Sequence, residues 1–512
     1  MSKSKSLWLL VLILIIAGGL RLYHLAELPP GLYPDEAMNG NNALETLKSG
    51  SFPLFDGKVF YPENNGREGL FINIQALSLK LWEAVSPSGV PSGGISEGRP
   101  WALRFPSAIF GIFTVLGLYF LGKEFFSKRV GLLAAFFLAT SFWHINFSRI
   151  GFRAIMAPFF LVWALYFFLH ATRRHSDEKS YWALLYAGLA GLFFGLGFYS
   201  YIAFRIMPLL FLAFIPFFGR HKGFWKCTAV FVAVTFLVAA PIGLYYLQNP
   251  ADFMGRTTQV SVMSSPTPIK DLSLNILKTA GMFNFVGDWN WRHNFAGRPE
   301  VFWPVGILLW IGTMLMLRAV WKKFAHGEDR GYALPATLML TWTLLAALPV
   351  ITSNEGIPHA LRSILFLPVI TLLAGWGVNW LYEKILHLSH ISHNGERLIK
   401  TVRACGAILF VLLTLEAATT YFVLWGKNSN ISNAFAADQV KLGKELLALP
   451  PETPKYVVVK AGGVDVRGIP MPSQTVMFVT NTFTPAGQAE KNIHYVLDES
   501  QVPEGALKFY IK

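Results

Sequence analysis

The sequence predicts an all-α polytopic membrane protein of about eleven transmembrane helices, followed by a small extracytoplasmic α/β domain. Three observations carry this expectation. The chain is 53% hydrophobic and only 14% charged over 512 residues, too apolar for a water-soluble protein of that length. About eleven stretches approach the roughly 20 apolar residues that cross a bilayer. Lysine and arginine then fall in every second connection, the bias that orients membrane proteins.

The spans are expected near 6–25, 101–122, 130–148, 154–171, 181–200, 203–219, 227–247, 301–319, 332–352, 361–382 and 404–425. Lys3 and Lys5 precede the first. The alternate connections then hold Lys123, Lys128 and Arg129; Arg173, Arg174 and Lys179; and Arg220, Lys222 and Lys226. Lys322, Lys323 and Arg330 follow, and then Lys384, Arg397, Lys400 and Arg403. With eleven crossings all of these share one side. The N-terminus is therefore expected in the cytoplasm, and the C-terminus outside a plasma membrane.

The formal charge of +14 reads as this topology signal, and no nucleic-acid partner is expected. "GGLRLYHL" runs on from the first apolar stretch without a small-x-small cleavage pattern, so a retained helix is expected there. Cys227 and Cys405 form no disulfide framework or thiol metal site. The histidines of "HLSHISH" (387–393) read as a polar loop.

Residues 1–425 form the expected membrane domain and 426–512 the α/β domain. In the first outer loop, 26–100, a helix is expected from Asp35 to Ser49, between Pro34 and Gly50. A second, over 67–82, carries Leu70, Ile74, Leu77 and Leu81 as a stripe suited to lying in the interface. "SPSGVPSGGISEGRP" (86–100) reads as a flexible linker. The outer loop 248–300 repeats the interfacial pattern with Leu272, Ile276, Ala280 and Phe283, then ends in the polar and aromatic "GDWNWRHNFAGRPE". In the last domain a helix is expected near 433–448, with strands at "YVVVK", "TVMFVT", "IHYVL" and "KFYI".

The charge bias also identifies its exceptions. Arg104, Arg149, Arg153, Arg205, Arg292, Arg298 and Arg362 all lie on the outer side. Arginine at a membrane boundary is costly unless it snorkels or meets an anion, and its donor fork matches phosphate oxygens. Arg149, Arg153, Arg205 and Arg362 are therefore candidates to bind a lipid phosphate. His359 joins them, because "PHALR" opens a helix whose N-terminus favours anions.

The outer carboxylates of interest are Asp35, Glu36, Glu63, Glu68, Asp288 and Glu355. A carboxylate beside a cationic anion site suits a general base for a hydroxyl nucleophile, with arginines stabilising a phosphate leaving group. That chemistry describes sugar transfer from a lipid-phosphate donor to a hydroxyl acceptor. A transporter or flippase of lipid-linked sugars is the alternative. Asp35 also suits a helix cap, Glu36 a supporting role and Glu68 either a site or a first-turn acid. Asp288, Arg292 and His293 are candidates for an acceptor contact or for ordering their loop. Oxygen ligands from Asp35, Glu36, Glu68 and Asp288 leave a divalent cation open, although no spacing forms a dedicated metal motif and no cofactor is expected to be required.

The order of these segments resembles the GT-C superfamily of membrane glycosyltransferases. The resemblance lies in "PDEA" opening an outer helix, the linker into "ALRFPSAIFGIFTVLGLYFLGKEFF", and "VGLLAAFFLATSFWHINFSRIGFRA". "GDWNWRHNFAGRP" and "PHALRSILFLP" extend it over roughly 8–425. The nearest branch looks like family 39, relatives of protein O-mannosyltransferases and lipid A aminoarabinose transferases. The resemblance implies a polyprenyl- or dolichyl-phosphate sugar donor, an inverting transfer, no required metal and a catalytic aspartate at Asp35. Many relatives have an acid shortly after the Ser-Arg that matches Ser148 and Arg149, where this chain has Gly151, Phe152, Arg153 and Ala154. "NNGREGLF" also departs from the His-Pro-Pro type stretch of protein mannosyltransferases, which puts a protein acceptor in doubt.

Overall fold

The computed structural model describes residues 3–48, 57–85, 98–174, 180–259, 261–328, 331–391 and 395–512. All eleven expected stretches are helical. Among the described residues, seven helices are long and apolar enough to cross a membrane: 4–22, 100–125, 153–174, 222–248, 303–326, 333–351 and 395–425. Two more apolar helices, 181–197 and 202–218, are shorter. The third expected stretch breaks at Ser141, whose hydroxyl caps the next helix by accepting from His144 N at 3.3 Å. The sixth is mostly a 3-10 helix with Pro208 inside it.

The membrane helices used below are α1 (Lys3–Leu22), α4 (Gly98–Phe125), α5 (Lys128–Thr140), α6 (Phe142–Phe147) and α7 (Met156–Arg174). Also used are α8 (Ser180–Gly197), α9 (Lys222–Gln248), α11 (Trp303–His326), α12 (Ala333–Ile351), α13 (Phe366–Ile391) and α14 (Gly395–Ala418). α4, α5 and α7 form the buried centre, with α1, α8 and α13 packed around them. Small residues permit the close crossings that stabilise helix pairs in lipid. A Cβ on Gly312 of α11 would lie 1.9 Å from Leu373 O of α13, and one on Gly377 2.3 Å from Leu308 O.

The first long loop supplies α2 (Pro34–Lys48), a short antiparallel pair β1 (Phe60–Tyr61) and β2 (Arg67–Glu68), and α3 (Leu70–Val85). The expected second helix thus starts three residues later than the periodicity suggested. The cause is a backbone crossing: Gly69 N donates to Val59 O at 2.7 Å, and a Cβ there would lie 1.9 Å from Lys58 O. On α3 the predicted stripe is the less buried face, with Leu81 58% exposed, while Phe71, Ile72, Ala76 and Leu79 are buried. Of the expected linker, 86–97 lies outside the described residues.

The second long loop contains α10 (Pro268–Gly281). It buries its polar Asn275, which donates to Ile351 O at 3.1 Å and Ser353 O at 2.6 Å. Leu274, Ile276 and Leu277 are exposed, the arrangement of a helix resting in a bilayer interface.

The C-terminal segment holds α15 (Ala437–Ala448), β3 (Lys455–Val459), the hairpin β4 (Asp465–Val466) and β5 (Ile469–Pro470), α16 (Gln474–Thr480), β6 (Ile493–Val496) and β7 (Leu507–Ile511). β3 is central and parallel to both β6 and β7. Three of the four expected strands form. "TVMFVT" is instead α16, whose residues are all buried. A short apolar run fits a buried strand or helix equally well; here α16 packs between α2 and α15 and stops at Asn481 in the left-handed conformation.

This domain does not have a separate core. Met38 of α2 belongs to its apolar cluster, and Phe478 of α16 belongs to the cluster beneath α2 and α3. Thr475 Oγ1 donates to Leu32 O at 2.8 Å, and Asn41 Nδ2 to Gln474 O at 3.2 Å.

Candidate active site

Asp35 and Glu36 sit in the first turn of α2, where the helix dipole favours carboxylates, but their surroundings differ. Asp35 stays 26% exposed, and Arg67 Nη2 meets its Oδ2 at 2.6 Å. Tyr33 precedes it. The Arg292 guanidinium stacks 3.8 Å from the Tyr33 ring centroid, so the second long loop reaches the start of α2. Burial, then the Asp35 charge, pushes the Tyr33 hydroxyl up.

Glu36 is fully buried. Arg104 Nε donates to its Oε1 at 2.8 Å and Nη2 to its Oε2 at 3.3 Å. Arg104 also donates to the carbonyls of Leu25, Pro29 and Gly31 at 3.3, 2.8 and 2.8 Å. Gly151 N completes the site by donating to Glu36 Oε1 at 3.0 Å. A Cβ at position 151 would lie 2.8 Å from Glu36 Cγ. The glycine thus gives a physical reason for the missing acid after Ser148 and Arg149: Glu36 of α2 fills that space. Glu36 thus clamps α2 to α4 and to the 148–152 turn.

Glu68, at the end of β2, is 2% exposed and gathers two of the candidate arginines. Arg153 Nε donates to its Oε2 at 2.5 Å, and Arg205 Nη2 lies 3.6 Å from its Oε1. Arg205 also donates to Phe253 O at 2.9 Å and Tyr246 Oη at 2.8 Å. It forms one wall of an apolar cavity of about 1100 Å³ lined by Phe198, Phe211, Phe231, Tyr246 and Leu247 among others.

The other anion candidates lie elsewhere. Arg149 is fully buried, donates to Leu20 O at 3.1 Å and Leu28 O at 2.9 Å, and lies over the Tyr421 and Phe422 rings. It ties α1 to the 419–425 segment and does not join the Glu68 cluster. Arg362 donates to Glu355 O and Oε2, both at 2.9 Å, and to Ser353 Oγ. These contacts set Arg362 apart from the Glu68 cluster, and its carboxylate partner is 68% exposed.

His359 belongs to a third group, with Asp288 and His293. His293 Nδ1 lies 3.1 Å and His359 Nδ1 3.9 Å from Asp288 Oδ2. Asn290 N and Ala360 N donate to the two carboxylate oxygens at 2.8 and 2.9 Å. Burial pushes Asp288 up, but the hydrogen bond and charge of His293 outweigh it and leave the carboxyl below its usual range. Burial pushes His293 down against its bond to Asp288. Burial, aided by the charges of His293 and Arg362, takes His359 down to about 3.

Glu300 completes this region. It is buried, its Oε1 accepts from Asp288 N at 2.9 Å, and burial followed by the Asp288 charge raises its pKa well above the carboxylate range. Arg67, Tyr33 and Glu300 were not singled out by sequence reasoning. Arg67 alone left a usable signal, as a second charge beside Glu68 in "NNGREGLF".

With this geometry in place, the likenesses to known proteins become informative. Residues 94–245 match the family model of dolichyl-phosphate-mannose-protein mannosyltransferase. ArnT from Cupriavidus metallidurans, solved with undecaprenyl phosphate, superposes with a TM-score of 0.54 at 12% identity, covering 96% of this chain and 90% of ArnT. The oligosaccharyltransferase AglB from Archaeoglobus fulgidus, in complex with an inhibitory peptide and a dolichol-phosphate, superposes with a TM-score of 0.56 at 15% identity over 93% of this chain. The same archaeal enzyme tethered to an acceptor peptide gives 0.54 at 16% identity over 94% of this chain. This chain spans 63% of the length of that enzyme. No curated protein matches the sequence.

The fold is that of the GT-C membrane glycosyltransferases. The protein is accordingly a multi-pass integral membrane protein.

Proposed function

We propose that this protein transfers a sugar from a polyprenyl-phosphate donor to a hydroxyl acceptor at the extracytoplasmic face of the cell membrane, with inversion. The observation that carries the reading is two neighbouring contacts in β2: Arg67 meets Asp35, and the next residue, Glu68, gathers Arg153 and Arg205, the latter bordering the apolar cavity. It offers a partly exposed carboxylate at one end and paired arginines beside a space fit for an isoprenoid tail at the other. The lipid phosphates bound by ArnT and AglB support a donor of the same class.

In this mechanism Asp35 accepts the proton of the acceptor hydroxyl, whose oxygen attacks the anomeric carbon. The bond from that carbon to the phosphate oxygen breaks, and polyprenyl phosphate leaves with its electron pair. Arg153 and Arg205 stabilise the charge gathering on phosphate. Glu68 holds both guanidinium groups in place, and Arg67 orients the base. Arg292 and Tyr33 flank the base on the acceptor side. The charge bias supports a cytoplasmic N-terminus and an extracytoplasmic site.

Nothing in the structure favours the transporter alternative, and the matched proteins are transferases. The test is purified protein with a radiolabelled polyprenyl-phosphate sugar and an acceptor extract, run beside Asp35→Asn. Label should move to acceptor with wild type and fall by about 10²–10⁴ in the variant, the usual contribution of a general base. Equal transfer by both proteins would sink the assignment of Asp35.

A further inference from the structure

The Asp288, His293 and His359 group takes no part in the transfer chemistry described above. Its donor atoms lie within 4.8 Å of one another, and among the described residues it is the group of metal-binding side chains gathered this closely. We propose that these three residues bind a divalent cation of the zinc type, which fastens the 287–300 loop to the segment that leads into α13.

The donor types fit. Two imidazoles and one carboxylate are the ligand set of zinc sites that keep a fourth position open. The distances fit as well. Bonds of about 2.0 Å in a tetrahedron put neighbouring donors about 3.3 Å apart, and Asp288 Oδ2 lies 3.1 and 3.9 Å from the two imidazole nitrogens. Closing the longer one asks for a small rotation of His359, the most exposed of the three at 16% of its side chain.

The surroundings hold the carboxylate for this purpose. Asn290 N and Ala360 N fix both oxygens, and Glu300 Oε1 accepts from the Asp288 backbone. Such outer contacts orient ligands in metal sites. Oδ2 accepts from Ala360 N and lies 3.1 Å from His293 Nδ1, and the ion would take the place of the proton shared with that imidazole. The ligands come from two connections about 70 residues apart, so the ion would act as a cross-link. Arg292, directly before His293, is the residue stacked on Tyr33 beside Asp35. A cation here would thereby fix the acceptor side of the cleft. The site itself does not depend on the transferase reading.

The experiment uses full-length protein in detergent, stripped with chelator and dialysed. Cobalt(II) is titrated in and followed by its visible absorption, then displaced by zinc, with metal content read by elemental analysis. The expected result is a single ion per chain with the intense bands of low-coordinate cobalt. Asp288→Asn and His359→Ala should each weaken binding by more than the roughly 10–100-fold that outer-contact changes cost. Glu396→Gln, at an exposed acid remote from the site, should leave binding unchanged. Because wild type alone reports the spectrum, the result survives a variant that misfolds. Sub-stoichiometric metal, weak octahedral bands in wild type, or folded variants that bind as wild type does would each overturn the proposal.

Discussion

The Glu36–Arg104 pair provides a quantitative test of which first-turn carboxylate is structural. Both side chains are fully buried, and two hydrogen bonds join them. Removing one member of such a pair costs about 3–5 kcal/mol, because the partner's charge stays buried. In Glu36→Ala the arginine keeps its three carbonyl partners, which places the loss near the lower end. Gly151 N loses its acceptor as well, adding about 1 kcal/mol. Glu36→Gln keeps an oxygen for Gly151 and an acceptor for Arg104, so its loss should be about 1–3 kcal/mol. Arg104→Met should be the worst of the three. It strands the Glu36 charge and leaves the acceptors of Leu25, Pro29 and Gly31 without that donor. The expected order of stability is wild type, Glu36→Gln, Glu36→Ala, Arg104→Met, measured by thermal unfolding in detergent followed by intrinsic tryptophan fluorescence. The double variant should show a coupling of about 0.5–3 kcal/mol. A Glu36→Ala protein as stable as wild type yet inactive would refute the reasoning and return Glu36 to the chemistry.

Further outcomes follow from the same geometry. Arg205→Met should weaken donor binding by about 10–150-fold, the worth of a charge-assisted hydrogen bond of about 1.5–3 kcal/mol, read as a rise in donor KM with the acceptor KM unchanged. Phe478→Ala removes a fully buried ring packed beneath α2 and should cost about 3–5 kcal/mol, measured by thermal unfolding. Removing the Arg467–Glu45 ion pair, which is 40% and 34% exposed, should change stability by less than about 1 kcal/mol. Glu300 should give a pH signature. Its folded pKa is raised, so the folded state holds a proton that the unfolded state has lost. The stability this gives is complete below the ordinary carboxylate pKa and is lost as pH rises through the folded value. Glu300→Gln keeps a carbonyl for Asp288 N and carries no charge, so its melting temperature should fall less than that of wild type as pH rises above the ordinary carboxylate pKa.

The spans were legible because a run of about 20 apolar residues has few other fates. The helix at Pro34 was legible because proline and two acids mark a helix start. Partner choice was not. Glu36 finds Arg104 across 68 positions and Glu68 finds Arg153 across 85, and sequence spacing carries no record of such meetings. Arg149 and Arg153, four positions apart, looked alike as boundary arginines; the turn between them sends one to the carbonyls of Leu20 and Leu28 and the other to Glu68. His359 was read with Arg362 from "PHALR", whereas its ring turns toward Asp288. "TVMFVT" was misread because burial on every side erases the periodicity that separates strand from helix.

The shared core of α2 and the C-terminal domain bears on how the protein is made. The helix that carries Asp35 emerges early in synthesis, yet its contacts include Gln474, Thr475 and Phe478, more than 400 residues later. That helix stays without much of its packing until the last segment has been made and has folded. Chain completion thus sets the moment at which Asp35 is fixed in place. A protein cut after residue 425 would retain every residue assigned to chemistry and still lack an ordered site.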